Sequence, residues 1–302
     1  MIKFTQAPTG ATSLPYLFNN LADLPVNLQQ PARQALAPAV QIDSIFFVPA
    51  QTYLKGWFGW RYVPEQALVF TADGVLYVQN SVLADKMART TYLRADELLY
   101  AQLSLLLLYG RLELAGRGHN GLIQVIIEFN TVGQSLLQPA LHKLLRLAWG
   151  ETSAPAPNKL VMVPISDQLK KLSMKFRNGL LHYGLQPGEQ LLGVVFQPGI
   201  WIHRWHFLTQ QILANTLLAL TDSQLIIIEE TDNDPLPNYG WIFTFCPRTK
   251  ITGIEVTPAE PWQALQILIR RGEVGVERRI TLEKEIAQAW QALWRRCNFA
   301  NS

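Results

Sequence analysis

An internal repeat, spaced at about half the chain length, constrains this sequence more than any other feature, because repeated segments fold into repeated structural units. Residues 67–78 have the pattern of a strand, a tight turn and a second strand, and residues 217–228 repeat it. In the first copy Asp73 and Gly74 occupy the turn, where we expect positive backbone φ angles. The sequence therefore predicts two similar units in tandem.

A helical pattern ends each copy. Thr131 and Thr281 each follow a predicted strand, and each lies 60 residues after a matching threonine, Thr71 or Thr221. Thr281 is expected to cap its helix, and Pro139 to mark the start of the regular helix in the first copy. Apolar residues at helical spacing predict a buried stripe on each helix. The stripes contain Leu137, Leu141, Leu144, Leu145 and Ala148 in the first copy, and Ile286, Trp290, Leu293 and Cys297 in the second.

The length of 302 residues fits two domains, and the segments outside the repeat set their boundaries. We predict a leader with a short helix at residues 1–40, a first domain at 41–150, a linker with a connecting amphipathic helix at 151–185, and a second domain at 186–302. The connecting helix is predicted over residues 167–181 from one apolar stripe. That stripe contains Leu169, Leu172, Phe176 and Leu180.

Each copy consists of apolar strands, a hairpin at Thr71 or Thr221, further strands and a terminal amphipathic helix. This order resembles the pleckstrin-homology (PH) superfold, in particular the bacterial PH-like domains, over about residues 41–150 and 186–298. The resemblance implies a mainly β (α+β) fold with two tandem PH-like barrels. Each barrel would be a bent antiparallel sheet of about seven strands capped by a C-terminal α-helix. PH-like modules are generally binding platforms for lipid head groups, peptides or copies of themselves, and few are catalytic.

The resemblance also gives an expectation for lipid binding. PH domains that bind phosphoinositides often have a lysine, then a basic residue, then an arginine two positions later, in and after the first hairpin. Lys55 and Arg61 match the first two places, but Val63 occupies the last. The nearest basic residues of the second copy are His203 and Arg204, without a lysine. Specific phosphoinositide binding is therefore not expected of either copy.

Tryptophan and basic residues alternate near the first hairpin of each copy and form the candidate binding surface. Trp beside Lys or Arg suits a membrane interface, where the ring lies among the lipid head groups and the cation meets anionic lipid. Trp is also favoured at protein interfaces, and we prefer packing or self-association. The candidate residues are Lys55, Trp57, Trp60, Arg61, Trp201, His203, Arg204, Trp205 and His206.

Composition limits the partners and the compartment. The net charge of +3 arises from 26 basic and 23 acidic residues, so no nucleic-acid partner is expected. Cys246 and Cys297 form no CxxC pair and no disulfide framework, which indicates a cytoplasmic protein. The start of the chain has no signal-peptide pattern, and no apolar run reaches the roughly 20 residues of a membrane span.

No pattern for catalysis, a cofactor or a metal stands out. The sequence contains no G-x-S-x-G elbow, P-loop or G-x-G-x-x-G fingerprint. His203 and His206 have no Asp, Glu or Cys between residues 201 and 207, and on a strand they would point to opposite faces, which argues against a metal site. We expect a non-enzymatic scaffold that binds a protein partner or associates into an oligomer. The alternative is peripheral binding to an anionic membrane through the two hairpins.

Overall fold

The computed structural model describes residues 14–55, 59–81, 88–150, 167–204, 208–230 and 240–299. Within these ranges the chain is mainly β, with several antiparallel sheets, as the sequence predicts. The first half contains β1 (Tyr16–Phe18), α1 (Val26–Ala35), β2 (Ile42–Val48), β3 (Gln51–Lys55), β4 (Gly59–Val63), β5 (Gln66–Thr71), β6 (Gly74–Gln79), β7 (Arg89–Arg94), β8 (Leu98–Leu106), β9 (Tyr109–Gly118), β10 (Gly121–Asn130) and α2 (Gln134–Trp149).

The second half repeats this order from the leader helix onward. It contains α3 (Asp167–Lys170), α4 (Met174–Gly179), β11 (Leu191–Gln197), β12 (Ile200–Arg204), β13 (Leu208–Leu213), β14 (Thr216–Thr221), β15 (Gln224–Glu230), β16 (Gly240–Pro247), β17 (Ile251–Ala259), β18 (Trp262–Arg271), β19 (Val274–Leu282) and α5 (Lys284–Phe299). A π-helical turn, Leu180–Gly184, continues α4. The predicted repeat is therefore present as a repeated order of elements.

The spacing between equivalent elements changes along the chain. β2 and β11 begin at residues 42 and 191, a difference of 149, and β5 and β14 begin at 66 and 216, a difference of 150. β8 and β17 begin at 98 and 251, a difference of 153, whereas α2 and α5 begin at 134 and 284, again a difference of 150. A 3-10 turn, Thr131–Gly133, precedes α2 and accounts for the return to 150, because β19 leads almost directly into α5.

This shift corrects the interpretation of two threonines. Thr131 opens the 3-10 turn, and the side chain of Asn130 accepts the backbone N–H of Val132 there. Thr281 instead lies within β19, opposite Ala264 of β18, so it does not cap α5. The equal 60-residue spacings therefore do not connect equivalent positions at their downstream ends.

Thr71 and Thr221 do occupy equivalent positions. Each lies at the end of a strand, and its hydroxyl oxygen accepts a backbone N–H from the far side of the turn, that of Gly74 at 3.1 Å and that of Gln224 at 2.8 Å. The prediction of a positive φ at Gly74 is wrong, since Gly74 is not among the described glycines with positive φ. Glycine is needed there because an added Cβ would lie 2.4 Å from the carbonyl oxygen of Leu93.

Strand pairing produces three sheets and two separate hairpins. A five-stranded sheet has the order β1-β2-β5-β6-β7, and a three-stranded sheet has the order β17-β18-β19. Between them a seven-stranded sheet, the central sheet, has the order β10-β9-β8-β16-β15-β14-β11. Among the described strands no sheet closes on itself, so the predicted closed barrels are not confirmed. The central sheet instead joins strands of both halves.

The core consists of apolar layers on the two faces of the central sheet. On one face the five-stranded sheet, α2 and α4 pack around residues such as Phe129 and Phe243. On the other face the three-stranded sheet and α5 pack around Trp290, which is fully buried. The remaining face of the five-stranded sheet is covered by α1 through Leu28 and Ala32. Thus α1 and α4 each cover a sheet face just before the first long strand of their half.

The helical stripes predicted from the sequence are buried. All five predicted residues of α2 form its buried set, although Pro139 lies inside the helix and not at its start. The predicted helix at 167–181 is divided, because Ser173 caps α4 by accepting the backbone N–H of Phe176. Its four stripe residues are nevertheless buried. The predicted domain boundaries stay predictions, with α1 inside the leader segment and α3 and α4 inside the connecting segment.

Candidate interaction site

The two hairpins that contain the predicted binding residues occupy equivalent places. β3 and β4 lie between β2 and β5, and β12 and β13 lie between β11 and β14. Each hairpin is a two-stranded sheet of its own. In the first hairpin Trp60 pairs with Leu54 and Arg61 with Tyr53. Lys55 pairs with Gly59 at the end of the ladder.

In the second hairpin Trp201 pairs with Gln211, and His203 pairs with Thr209. Arg204 pairs with Leu208 at the end of the ladder, which is the register position of Lys55 in the first hairpin. The Trp201 side chain is 43% exposed. For Lys55, Trp60, Arg61, His203 and Arg204 the structure describes the backbone, and the predictions for Trp57, Trp205 and His206 lie outside the described residues.

A small polar cavity of about 200 Å³ lies at the base of the first hairpin. Val63 of β4 is part of its wall, and Tyr77 donates to the Gln66 side chain at 3.1 Å beside it. Burial raises the pKa of Tyr77 to about 12. The nearby charged groups are Arg89 and Glu128, so the cavity has polar groups of both signs.

The two halves of the chain meet through one pair of strand edges, which we name the junction. β8 of the first half pairs antiparallel with β16 of the second, over residues 101–106 and 240–245. Leu103 lies opposite Phe243, and both side chains are buried. In terms of the repeat, β8 is the first strand of the three-stranded segment in its half, and β16 is the last strand of the preceding segment in its own half. The junction therefore joins unlike edges of two similar units.

Helix contacts support the junction on one face. The Gln138 side chain of α2 donates to the backbone carbonyl of His182, in the turn after α4, at 2.7 Å. Beside this bond the rings of Phe176, Trp241 and Phe243 are in edge and stacked contact. The ammonium of Lys175 lies 4.8 Å from the centre of the Trp241 ring. The second half thus places aromatic groups along the strand that the first half pairs with.

Polar side chains cross the junction on the opposite face. Arg278 of β19 reaches β8, where its guanidinium lies 4.3 Å from the centre of the Tyr100 ring and donates to the Gln102 side chain. Tyr100 in turn donates to Glu113 at 2.5 Å, and Arg111 donates to the other oxygen of that carboxylate at 2.6 Å. Burial, together with the bond to Glu113, raises the pKa of Tyr100 to about 12.

A second charged cluster lies where β8 and β17 begin. Lys250 is buried and donates to the backbone carbonyl of Asp96 at 2.6 Å. Arg117 forms a two-point ion pair with Glu97, and Arg271 lies 3.8 Å from the same carboxylate. Burial, followed by the repulsion from Arg271, lowers the pKa of Lys250. These contacts link the two halves again.

A cleft of about 860 Å³ opens between these charges and the outer end of β7. Tyr92 and Arg94 of β7 form one wall, and Gly272 and Glu273, in the turn between β18 and β19, lie on the other. Among the described strands β7 pairs only with β6, and β17 pairs only with β18. The strand equivalents of the two junction edges are therefore both sheet edges.

Groups suited to a metal or to a nucleophile are sparse in the described part of the chain. No group of three or more His, Cys, Asp or Glu side chains there is arranged to hold a metal ion. Cys246 is fully buried, and burial raises the pKa of its thiol to about 12, which keeps it protonated and unreactive. None of the helices in the described ranges is long and apolar enough to span a membrane.

The interpretation of the sequence missed the junction residues, although two signals pointed to them. Residues 98–108 form a nearly continuous apolar run, which is typical of a strand buried on both faces and not of a sheet edge. In β19, Arg278 interrupts an alternation of apolar residues that continues at Ile280 and Leu282. A charge on the apolar face of a strand indicates a partner inside the fold, here Tyr100.

The chain matches no protein-family model, and no curated protein or solved structure is similar to it at a significant level. Its function is therefore argued from the geometry above.

Proposed function

We propose that this chain is a non-enzymatic scaffold that binds protein through the edges of its sheets, above all further copies of itself. The junction carries the proposal. Two similar units of the chain already associate through an antiparallel ladder of six residue pairs, from Gly240 opposite Leu106 to Phe245 opposite Ala101. Pairing of strand edges is a general mode of protein recognition, in which backbone hydrogen bonds give affinity and side chains give specificity.

We further propose that each half is a PH-like module. Each half has four long strands with a hairpin after the first, then a three-stranded meander and a C-terminal helix. This order agrees with the resemblance inferred from the sequence. In this proposal the meander of the first module has joined the sheet of the second, and the protein acts in the cytoplasm.

Peripheral membrane binding is the second candidate function, and one observation favours it. Lys55 and Arg204 occupy the same register position, the last pair before the tip of each hairpin. Trp201, two to three residues away along the second hairpin, is 43% exposed. A cation and an exposed tryptophan near a hairpin tip suit the interface of an anionic membrane.

Two measurements on the full chain separate these functions. Light scattering over a wide concentration range should show a mass that rises with concentration if the chain associates with itself. A monomer at every concentration would contradict self-association. Co-sedimentation with phosphatidylserine vesicles, and with phosphatidylcholine vesicles as the control, tests the second candidate. Binding that is salt-sensitive, and lost in the Lys55→Ala, Arg204→Ala double variant, would support the membrane function.

A further inference from the structure

We propose that copies of this chain join head to tail, with the β17 edge of one copy pairing with the β7 edge of the next. The inference rests on the proposed scaffold function and names its partner and its register. Its basis is the internal repeat: β7 is the equivalent of β16, and β17 is the equivalent of β8. The contact between chains would therefore repeat the junction that the chain makes within itself.

The junction also supplies a register. β8 and β17 begin 153 residues apart, and β7 and β16 end 153 residues apart, at residues 94 and 247. Shifting the junction pairs by this difference places Thr91 opposite Glu255, from the pair Thr244 and Gln102. It places Thr90 opposite Val256, and Tyr92 opposite Ile254. These are β-branched and aromatic residues, the types that pair well across antiparallel strands.

Charge complementarity fits the same register. Arg89 of β7 would lie opposite Thr257, diagonal to Glu255 on the same face of the new ladder. Arg89 and Glu255 are both exposed in the single chain, so both are available to a second copy. Opposite charges at neighbouring cross-strand positions stabilise pairing, and like charges destabilise it.

A helix contact of the junction has an equivalent as well. Gln138 in α2, which donates to the His182 carbonyl, corresponds to Gln288 in α5 by the 150-residue difference between these helices. His182 corresponds to Arg33 in α1 by the 149-residue difference between β2 and β11. Gln288 is exposed, and the carbonyl of Arg33 lies in the last turn of α1, where carbonyls have no partner within the helix. A second copy would bring these two groups together.

The contact between chains should be weaker than the junction. Pro258 of β17 corresponds to Leu105 of β8 and would face Ala88 at one end of the ladder. Proline lacks a backbone N–H, and it is one of the residues that limit pairing at sheet edges. The ladder between chains is thereby confined to residues 89–92 and 254–257. Each chain has one β7 and one β17, so this contact joins chains into a ring or a filament.

Charge reversal tests the inference. Arg89→Glu places like charges next to each other in the ladder between chains, and Glu255→Arg does the same with the opposite sign. Each variant alone should associate at least about fivefold more weakly than the natural chain, by light scattering. Mixing the two variants restores opposite charges at every contact and should restore association. Arg279→Glu, an exposed position on β19, is the matched control and should associate like the natural chain.

Cysteine cross-linking tests the register. A mixture of Thr91→Cys and Glu255→Cys chains should form a disulfide between chains under mild oxidation. A mixture of Thr91→Cys and Thr252→Cys chains, which is three residues out of register, should not. If the chain associates but neither the mixing rescue nor the in-register disulfide appears, the inference is overturned and the scaffold function stands. If the natural chain stays monomeric at every concentration, self-association itself is overturned.

Discussion

Arg278 and Tyr100 join the two halves of this protein: the guanidinium of Arg278, on the last strand, lies 4.3 Å from the centre of the Tyr100 ring on β8. The same guanidinium donates to the Gln102 side chain. It also lowers the pKa of the Glu229 carboxyl, against a larger rise caused by burial of that carboxyl. Arg278 therefore offsets the cost of a buried acid while it contacts the junction.

Replacing Arg278 should strongly destabilise the fold. Arg278→Ala removes the ring contact and leaves Glu229 buried without its cation, so we expect a loss of about 2–4 kcal/mol in the free energy of unfolding. Urea denaturation followed by circular dichroism measures this loss. Arg279→Ala, one residue further along β19 and exposed, is the control and should change stability by less than about 0.5 kcal/mol. Equal effects of the two substitutions would contradict the role given to Arg278.

His142 should make stability depend on pH. Burial, with repulsion from Arg146, lowers its pKa from 6.5 to about 4. The unfolded chain thus binds more protons than the folded chain between these values, and stability is lost as the pH falls below 6.5. Relative to His142→Gln, the natural chain should lose about 2 kcal/mol between about pH 7 and about pH 5. Urea denaturation at both pH values measures this, and parallel pH profiles would exclude the effect.

The two cysteines should differ in reactivity. Cys246 is fully buried with a pKa raised to about 12, whereas Cys297 is partly accessible. A thiol reagent at about pH 8 should therefore react quickly with one thiol in the folded chain and with both in denaturant. In the Cys297→Ser variant the folded chain should show no rapid reaction. Rapid labelling of that variant would mean that Cys246 is not enclosed by the core.

Gly74 should be intolerant of a side chain. An added Cβ would lie 2.4 Å from the backbone oxygen of Leu93, which cannot move without shifting β7. Gly74→Ala should cost about 1–3 kcal/mol in unfolding free energy, because backbone must shift to admit the methyl group. Gly253→Ala is the matched control, since its Cβ would meet Leu268 at an ordinary 3.4 Å. Similar stabilities of the two variants would contradict the packing at Gly74.

The local parts of the fold could be predicted from the sequence. The hairpin of β5 and β6 and the buried stripe of α2 follow from patterns within a few residues, such as the turn at Asp73 or the spacing of Leu137 and Leu141. The partner of a strand is a different matter, because it depends on contacts between distant residues. Leu103 and Phe243 are apolar strand residues, and neither has a local feature that names the other.

The candidate site shows the same division. The position of the two hairpins could be predicted, and so could basic residues near their tips, because Lys55 and Arg204 belong to local patterns. The junction could not be predicted, since the repeat suggested two separate barrels, each closed by its own strands. Pairing of β8 with β16 appears only when the edges of both sheets are compared.

Amide hydrogen exchange at low and high protein concentration tests head-to-tail assembly most directly, because it reports on each strand edge separately. The account predicts that raising the concentration slows exchange in residues 89–92 of β7 and 254–257 of β17, and leaves exchange in β8 and β16 unchanged. Concentration-dependent protection confined to other strands, or none in a sample whose mass has increased, would contradict it.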